Sequence, residues 1–142
     1  MIDTNFYTLK ISKIDKETSD TVSITFDIDT PLMEKFHFNA GQYLTLKANI
    51  KGEDVRRSYS ISSDKGEQLR VAIKQIENGL FSTYANNSLS VGDELEVMPP
   101  AGNFVLKNQE AGKTSLFFAA GSGITPVLSM IKNTISNTNQ RN

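Results

Sequence analysis

Between residues 6 and 105, apolar and polar positions alternate in short runs separated by turn-forming clusters. That is the pattern of strands with one face on a core and the other in water. The clearest run is DTVSITFDID, where Val22, Ile24, Phe26 and Ile28 alternate with polar neighbours. QYLTLKANI repeats it with Leu44, Leu46 and Ala48, and QLRVAIKQI with Leu69, Val71 and Ile73. KGED, DKGE and SVGDE each set glycine beside acidic or small polar residues and read as tight turns. Short strands at this spacing predict an antiparallel barrel or sandwich.

Near residue 114 the pattern changes. Leu116, Phe117, Phe118 and Ala119 run without alternation, as in a strand buried on both faces of a parallel sheet. The glycine-rich turn AGSGITP follows, with Thr125 as expected N-cap and Pro126 as the first helical residue. Val127, Leu128, Ile131 and Ile135 then share one helical face. This is the opening strand–turn–helix of a Rossmann-like unit. After Ile135 the sequence reads SNTNQRN, with no return strand, so the helix is expected to lack the sheet its apolar face would cover. An uncovered face of that kind invites dimerisation or disorder.

Composition narrows the function classes. A chain of 142 residues is long enough for one domain with a real core. Fifteen basic against sixteen acidic residues leave a net charge of −1, which gives no electrostatic reason to expect nucleic acid or an anionic membrane. MIDTNFYTLK does not read as a signal peptide and no apolar run approaches a membrane span, so a soluble, cytoplasmic protein is expected. The absence of cysteine excludes disulfides, thiolate nucleophiles and cysteine-ligated iron–sulfur or zinc sites within the chain. His37 is the single histidine and builds no metal centre alone, so no metal site is expected. Between Phe36 and Phe38 it reads as a strand residue.

The unusual stretch is RRSYSISS, residues 56–63, at the end of an expected strand. On a strand Arg57 and Tyr59 share one face, and Ser58 and Ser60 the other. A guanidinium beside an aromatic ring suits a ligand with an anionic part and a flat ring, because the fork binds phosphate oxygens and the ring stacks. A phosphorylated, ring-bearing cofactor is one reading, and a solvent-facing edge strand is the other. In NGLFSTYANNSL, Gly79 permits close backbone approach, and Phe81, Tyr84 and Leu89 look like the buried side of a helix starting near Leu80. Its first N–H groups with the Ser82 hydroxyl would make an anion site; otherwise the stretch is a loop with a short helix and nothing bound. MPPAGNF reads as a stiff turn. AGSGITP lacks the G-x-G-x-x-G spacing and fits a pyrophosphate cradle or a plain Gly-Ser loop equally well.

In order, R-x-Y-S, G-x-x-S, P-P-x-G-x-F and G-S-G-I-T-P closely resemble the ferredoxin–NADP⁺ reductase superfamily. The likeness runs from about Phe6 to Ile135 and includes AGQYLTL, Ala40 to Leu46. Within the superfamily the chain looks most like the reductase components of phenylacetyl-CoA oxygenase systems. The resemblance implies a six-stranded antiparallel Greek-key barrel that binds FAD, residues 1–112, followed by an incomplete start of an NAD(P)-binding domain, residues 113–142. It implies that Arg57 binds the FAD pyrophosphate with Ser58 beside it, that Tyr59 stacks on the isoalloxazine, and that the Ser60 hydroxyl reaches toward the redox-active nitrogen. Tyr59 and Ser60 are thus the expected catalytic pair. Val71, Ala72, Ile73 and Lys74 would line the cofactor, and Gly79, Leu80, Phe81 and Ser82 would hold the pyrophosphate. Gly121, Ser122, Gly123 and Thr125 would sit near the nicotinamide. The implied activity is hydride transfer from NAD(P)H to FAD, then electron transfer to an iron–sulfur acceptor, a ferredoxin domain or protein, of an oxygenase component. It further implies the flavin domain of a longer reductase. The alternatives from the residues are a non-catalytic flavin-binding or regulatory module that docks on a separate redox partner, and a barrel that has lost FAD.

Overall fold

A computed structural model describes residues 3–106 and 114–139, with side chains through residue 137. Six antiparallel strands form one sheet: β1 (Tyr7–Thr18), β2 (Thr21–Asp27), β3 (Tyr43–Ile50), β4 (Glu53–Ser60), β5 (Arg70–Lys74) and β6 (Glu94–Val97). Helix α1 (Leu80–Asn87) lies between β5 and β6, and α2 (Ile124–Asn139) ends the described chain. The strand order is β4-β3-β6-β1-β2-β5, so the hairpins β1–β2 and β3–β4 are joined through β6, as in a Greek key.

The two edge strands meet at a single rung. Ile61, just past β4, pairs with Val71 of β5, and the Ser62 N–H donates to the Arg70 carbonyl at 2.9 Å. That contact curls the sheet into a barrel. The alternating residues expected from sequence fill it: Ile24, Leu44, Leu46, Val71 and Ile73 are fully buried, and Phe81 of α1 plugs one end. The expected turns at Gly52 and Gly92 form with φ of +86° and +96°, values that glycine adopts without strain. Strand β1 is longer than its apolar pattern, because two register shifts against β2, between Ile11 and Lys13 and between Lys16 and Thr18, break its alternation.

Three expectations are corrected. Residues 114–120 form no strand among the described residues; Leu116 and Phe118 are 78% and 87% exposed. A buried parallel strand needs hydrogen-bonded neighbours, and no described strand pairs with this segment. Second, the C-terminal helix starts earlier than Pro126: a single 3₁₀ turn over Gly121–Gly123 runs directly into α2 at Ile124. Thr125 is therefore inside the first turn, where its hydroxyl donates to the Ser122 carbonyl at 3.1 Å instead of capping. Third, His37 is exposed and lies outside any strand, in the connection after the turn at Thr30–Leu32, although Phe36 and Phe38 beside it are buried.

On α2 the apolar residues divide between two faces, and the exposed one keeps most of the expected stripe. Val127 and Met130 are buried against the barrel, whereas Ile124, Leu128 and Ile135 point outward. The helix grips the barrel mainly by hydrogen bonds from Ser129, Asn133 and Ser136, which an apolar periodicity does not register. Met130 reaches Gly41, where φ is +102° and any Cβ would overlap both the Met130 side chain and the Phe104 carbonyl. The expected domain boundary at residues 112 and 113 lies outside the described residues.

Candidate functional site

Where β4 and β5 diverge from the Ile61–Val71 rung, the barrel has a seam, and α1 packs across it. The seam opens as a cleft of about 400 Å³ lined by Arg57, Ser58 and Tyr59 from β4, Lys74 from β5, and residues 76–82. The two motifs that the sequence placed more than twenty residues apart are thus walls of one concavity. A second cleft of about 550 Å³ adjoins it, sharing Asn78, Gly79 and Leu80 and extending to Lys51 in the β3–β4 turn and to Tyr84.

The strand geometry is as the alternation predicted. Arg57 and Tyr59 pair with Leu46 and Leu44, and Ser58 pairs with Thr45 on the opposite face, where the two hydroxyls are 3.0 Å apart. Tyr59 is half-buried, its ring 5.8 Å from that of Phe81 and tilted 38° to it, so one ring edge is fixed by packing. Burial pushes the Tyr59 phenol above its usual range, and the Arg57 guanidinium partly opposes that shift. The ring therefore stays neutral at physiological pH, as a stacking surface beside a cation requires. Arg57 is exposed and donates to its neighbour's carbonyl, Arg56 O, at 2.7 Å. With Lys74 it makes the cleft cationic against the single carboxylate of Glu77; Lys74 is also 3.5 Å from Asp20. Two cations facing the start of a helix favour an anion.

Helix α1 begins after Gly79, which has extended backbone, and its first intrahelical bond runs from Thr83 N–H to Gly79 O at 2.9 Å. The preceding N–H groups of Leu80, Phe81 and Ser82 have no acceptor within the helix, as at every helix start. Gly79 and Ser82 also hold this turn together. The Ser82 hydroxyl is buried, accepts from Ile76 N–H and donates to Gly79 O, both at 3.2 Å, so it braces the turn that forms this part of the cleft wall. A Cβ on Gly79 would overlap the Ser82 hydroxyl and the Ile76 side chain, so the close approach that glycine permits is to the chain itself.

The remaining expected residues separate. Ser60 faces the same side as Ser58, opposite Tyr43, and is not part of the cleft wall. Of Val71, Ala72, Ile73 and Lys74, the side chain of Lys74 alone reaches the cleft; Val71 and Ile73 are core, and the β5 backbone forms the seam's far edge. Gly121, Ser122 and Gly123 are in the turn before α2 and line none of the cleft.

Sequence reasoning missed Asn78 and Asn86. Asn78, at φ +58°, takes the left-handed conformation that asparagine tolerates and turns the chain from β5 into α1; the Asn-Gly pair at 78–79 was the available signal. Asn86 donates to the carbonyls of Ile73 and Ser82, both at 3.0 Å, and so ties α1 to the seam edge of β5, while its own carbonyl oxygen is buried without a hydrogen-bond partner among the described residues. No periodicity marks such a clamp. Among the described residues no cluster of histidine or acidic side chains could hold a metal, and no helix is long and apolar enough to cross a membrane.

A half-buried aromatic ring, an adjacent guanidinium, a second cation and a helix start around one cleft fit FAD, which has a flat ring system and a pyrophosphate. Comparison with known proteins agrees. The chain is 46% identical over 134 residues to a component of the 1,2-phenylacetyl-CoA epoxidase of Escherichia coli (strain K12), a match covering 93% of this chain and 38% of that protein. Flavohemoglobin from Malassezia yamatoensis, solved with bound FAD and heme, superposes with a TM-score of 0.80 at 26% identity, over 96% of this chain and 36% of that one. Phthalate dioxygenase reductase, described as a modular structure for electron transfer from pyridine nucleotides to [2Fe-2S], superposes with a TM-score of 0.72 at 28% identity, over 93% and 40%. The chain spans less than half the length of each of these proteins. Residues 8–106 match the family model of the oxidoreductase FAD-binding domain, and the chain belongs to that family.

Proposed function

We propose that this chain is the flavin domain of an electron-transfer reductase that takes reducing equivalents from NAD(P)H and passes them to an iron–sulfur acceptor of an oxygenase system. The observation that carries the reading is the cleft itself, where Arg57, Tyr59 and the start of α1 converge at the seam of the barrel. Residues 1–112 form the flavin unit in this reading, and residues 113–142 open the nucleotide-binding unit. The phenylacetyl-CoA epoxidase component and the phthalate dioxygenase reductase supply the analogy for the acceptor.

Arg57, with Lys74, binds the pyrophosphate as a cationic pair, and the N–H groups of Leu80, Phe81 and Ser82 complete that site at the helix start. Tyr59 stacks on the flavin ring and excludes water from one of its faces. Ser60 follows Tyr59 but lies outside the cleft wall, so its role beside the redox-active nitrogen rests on the family resemblance and requires the flavin ring to extend past Tyr59. The turn Gly121–Thr125 would sit near the nicotinamide of a bound NAD(P)H. Bound FAD supplies the redox chemistry, two-electron acceptance and one-electron donation, while the protein positions it.

The test is the visible spectrum of the purified chain before and after FAD is added and the excess removed. Retained flavin bands shifted from those of free FAD are expected. A folded chain that retains no flavin at micromolar concentrations overturns the reading.

A further inference from the structure

The serine-rich stretch RRSYSISS continues into Asp64, and its first half alone faces the cleft. The second half faces α2. Ser129, fully buried, donates through Oγ to the Ser63 carbonyl at 2.6 Å. Asp64, 7% exposed, accepts from Ser136 Oγ at 2.6 Å and Asn133 Nδ2 at 3.1 Å on the helix, and from Lys65 N–H at 2.7 Å. Lys132 reaches Glu67 at 2.9 Å, and Glu67 in turn accepts the Asp64 N–H at 2.9 Å. The same segment is tied to the barrel, with Ser62 N–H donating to Arg70 O at 2.9 Å and Arg70 N–H to Ser63 Oγ at 3.1 Å. From Arg57 to Asp64 the chain is thus pinned throughout, with the cleft at one end and the helix at the other.

A helix that needs only adhesion can use apolar side chains at lower cost, since burying a carboxylate is unfavourable unless its oxygens are satisfied. Directional bonds to both Asp64 oxygens instead fix the rotation and register of α2. We infer that Asp64 is a positioning residue, locking α2 and the Gly121–Thr125 turn at its start to the strand that carries Arg57 and Tyr59, so that occupancy of the cleft and docking of α2 are coupled. The coupling rests on the flavin reading of the cleft. By linkage, a ligand that orders the β4 end must strengthen α2 docking by the same factor that docked α2 strengthens the ligand.

Hydrogen–deuterium exchange of the 142-residue chain with and without FAD tests this, in the parental protein and in the Asp64→Asn and Ser136→Ala variants. FAD is expected to slow exchange of the α2 amides by about 5-fold or more, the lower end of ordinary allosteric coupling. In both variants that response disappears while FAD still protects β4 and α1. The decisive quantity is the FAD-dependent difference, which a merely stabilising contact would leave intact. Protection of β4 and α1 with no change in α2 in the parental chain overturns the coupling and leaves the flavin reading standing, as does an α2 response that survives in the variants. Absence of FAD protection everywhere removes both. Ser136→Ala, which leaves the loop sequence untouched, decides the matter if Asp64→Asn alters exchange throughout the barrel.

Discussion

Two apolar runs of similar length meet opposite fates in this molecule. Val22, Ile24 and Phe26 of β2 are at most 3% exposed, whereas Leu116 and Phe118 are 78% and 87% exposed. Composition does not separate them. Strand β2 has β1 on one edge and β5 on the other, so its backbone is satisfied and its inward side chains meet a filled barrel. No described strand pairs with residues 114–120, and an apolar run without a ladder neither forms a strand nor buries itself. Hydrophobicity therefore identifies a segment that wants a partner, and topology decides whether it has one.

The contrast can be broken by substitution. Phe26→Ala should destabilise the barrel by about 3–5 kcal/mol in urea unfolding, the usual result of removing a large buried ring. At the seam, Arg57→Ala should leave unfolding nearly unchanged and weaken FAD binding by about 1.5–3 kcal/mol in a flavin titration, the scale of hydrogen bonds to a charged group; unaltered affinity would remove Arg57 from the site. Smaller again is an acid effect on α2. Burial alone would raise the Asp64 pKa, but bonds from Ser136, Asn133 and the Lys65 N–H, with the Lys132 charge nearby, hold it below the usual carboxylate range. Glu67, facing Lys132 and Arg70, is lowered for similar reasons despite its own partial burial. Carboxylates with depressed pKa contribute docking strength that is complete above their unfolded values, about 4, and is lost as pH falls through the folded ones. Exchange protection of α2 should hold from neutral pH to about pH 4 and fade below it, with Asp64→Asn removing most of that dependence. Phe118→Ser should change barrel stability by no more than about 0.5 kcal/mol, as an exposed substitution does. A loss comparable to that of Phe26→Ala would show that residues 114–120 are buried in solution.

The barrel was legible where alternation is regular, as at Val22 to Ile28 and Leu44 to Ala48. It was less so in β1, whose bulges break the period, and in β6, whose four residues Glu94–Val97 are too few to establish one. The site was legible in its charged and aromatic members, because Arg57 and Tyr59 on one face of a strand have a chemical meaning before any fold is known. The bracing role of Ser82 was not legible, since a hydroxyl after a glycine can face a ligand or brace its own turn, and the sequence does not distinguish them. Asp64, Ser129 and Asn133 were invisible because their pairing spans more than sixty residues and depends on where α2 lands.

The single rung between Ile61 and Val71 has a practical consequence for handling the protein. Above it, β4 and β5 each show an edge with no strand beside it among the described residues, and an unpaired edge is a template for a strand of another molecule. Arg56, Arg57 and Lys74 place positive charge along those edges, and like charges keep identical edges apart. Salt screens that repulsion, with a Debye length of about 10 Å at 0.1 M. Preparations stripped of ligand should therefore be most prone to sheet-to-sheet aggregation at high ionic strength, and a bound ligand in the seam should act as their preservative.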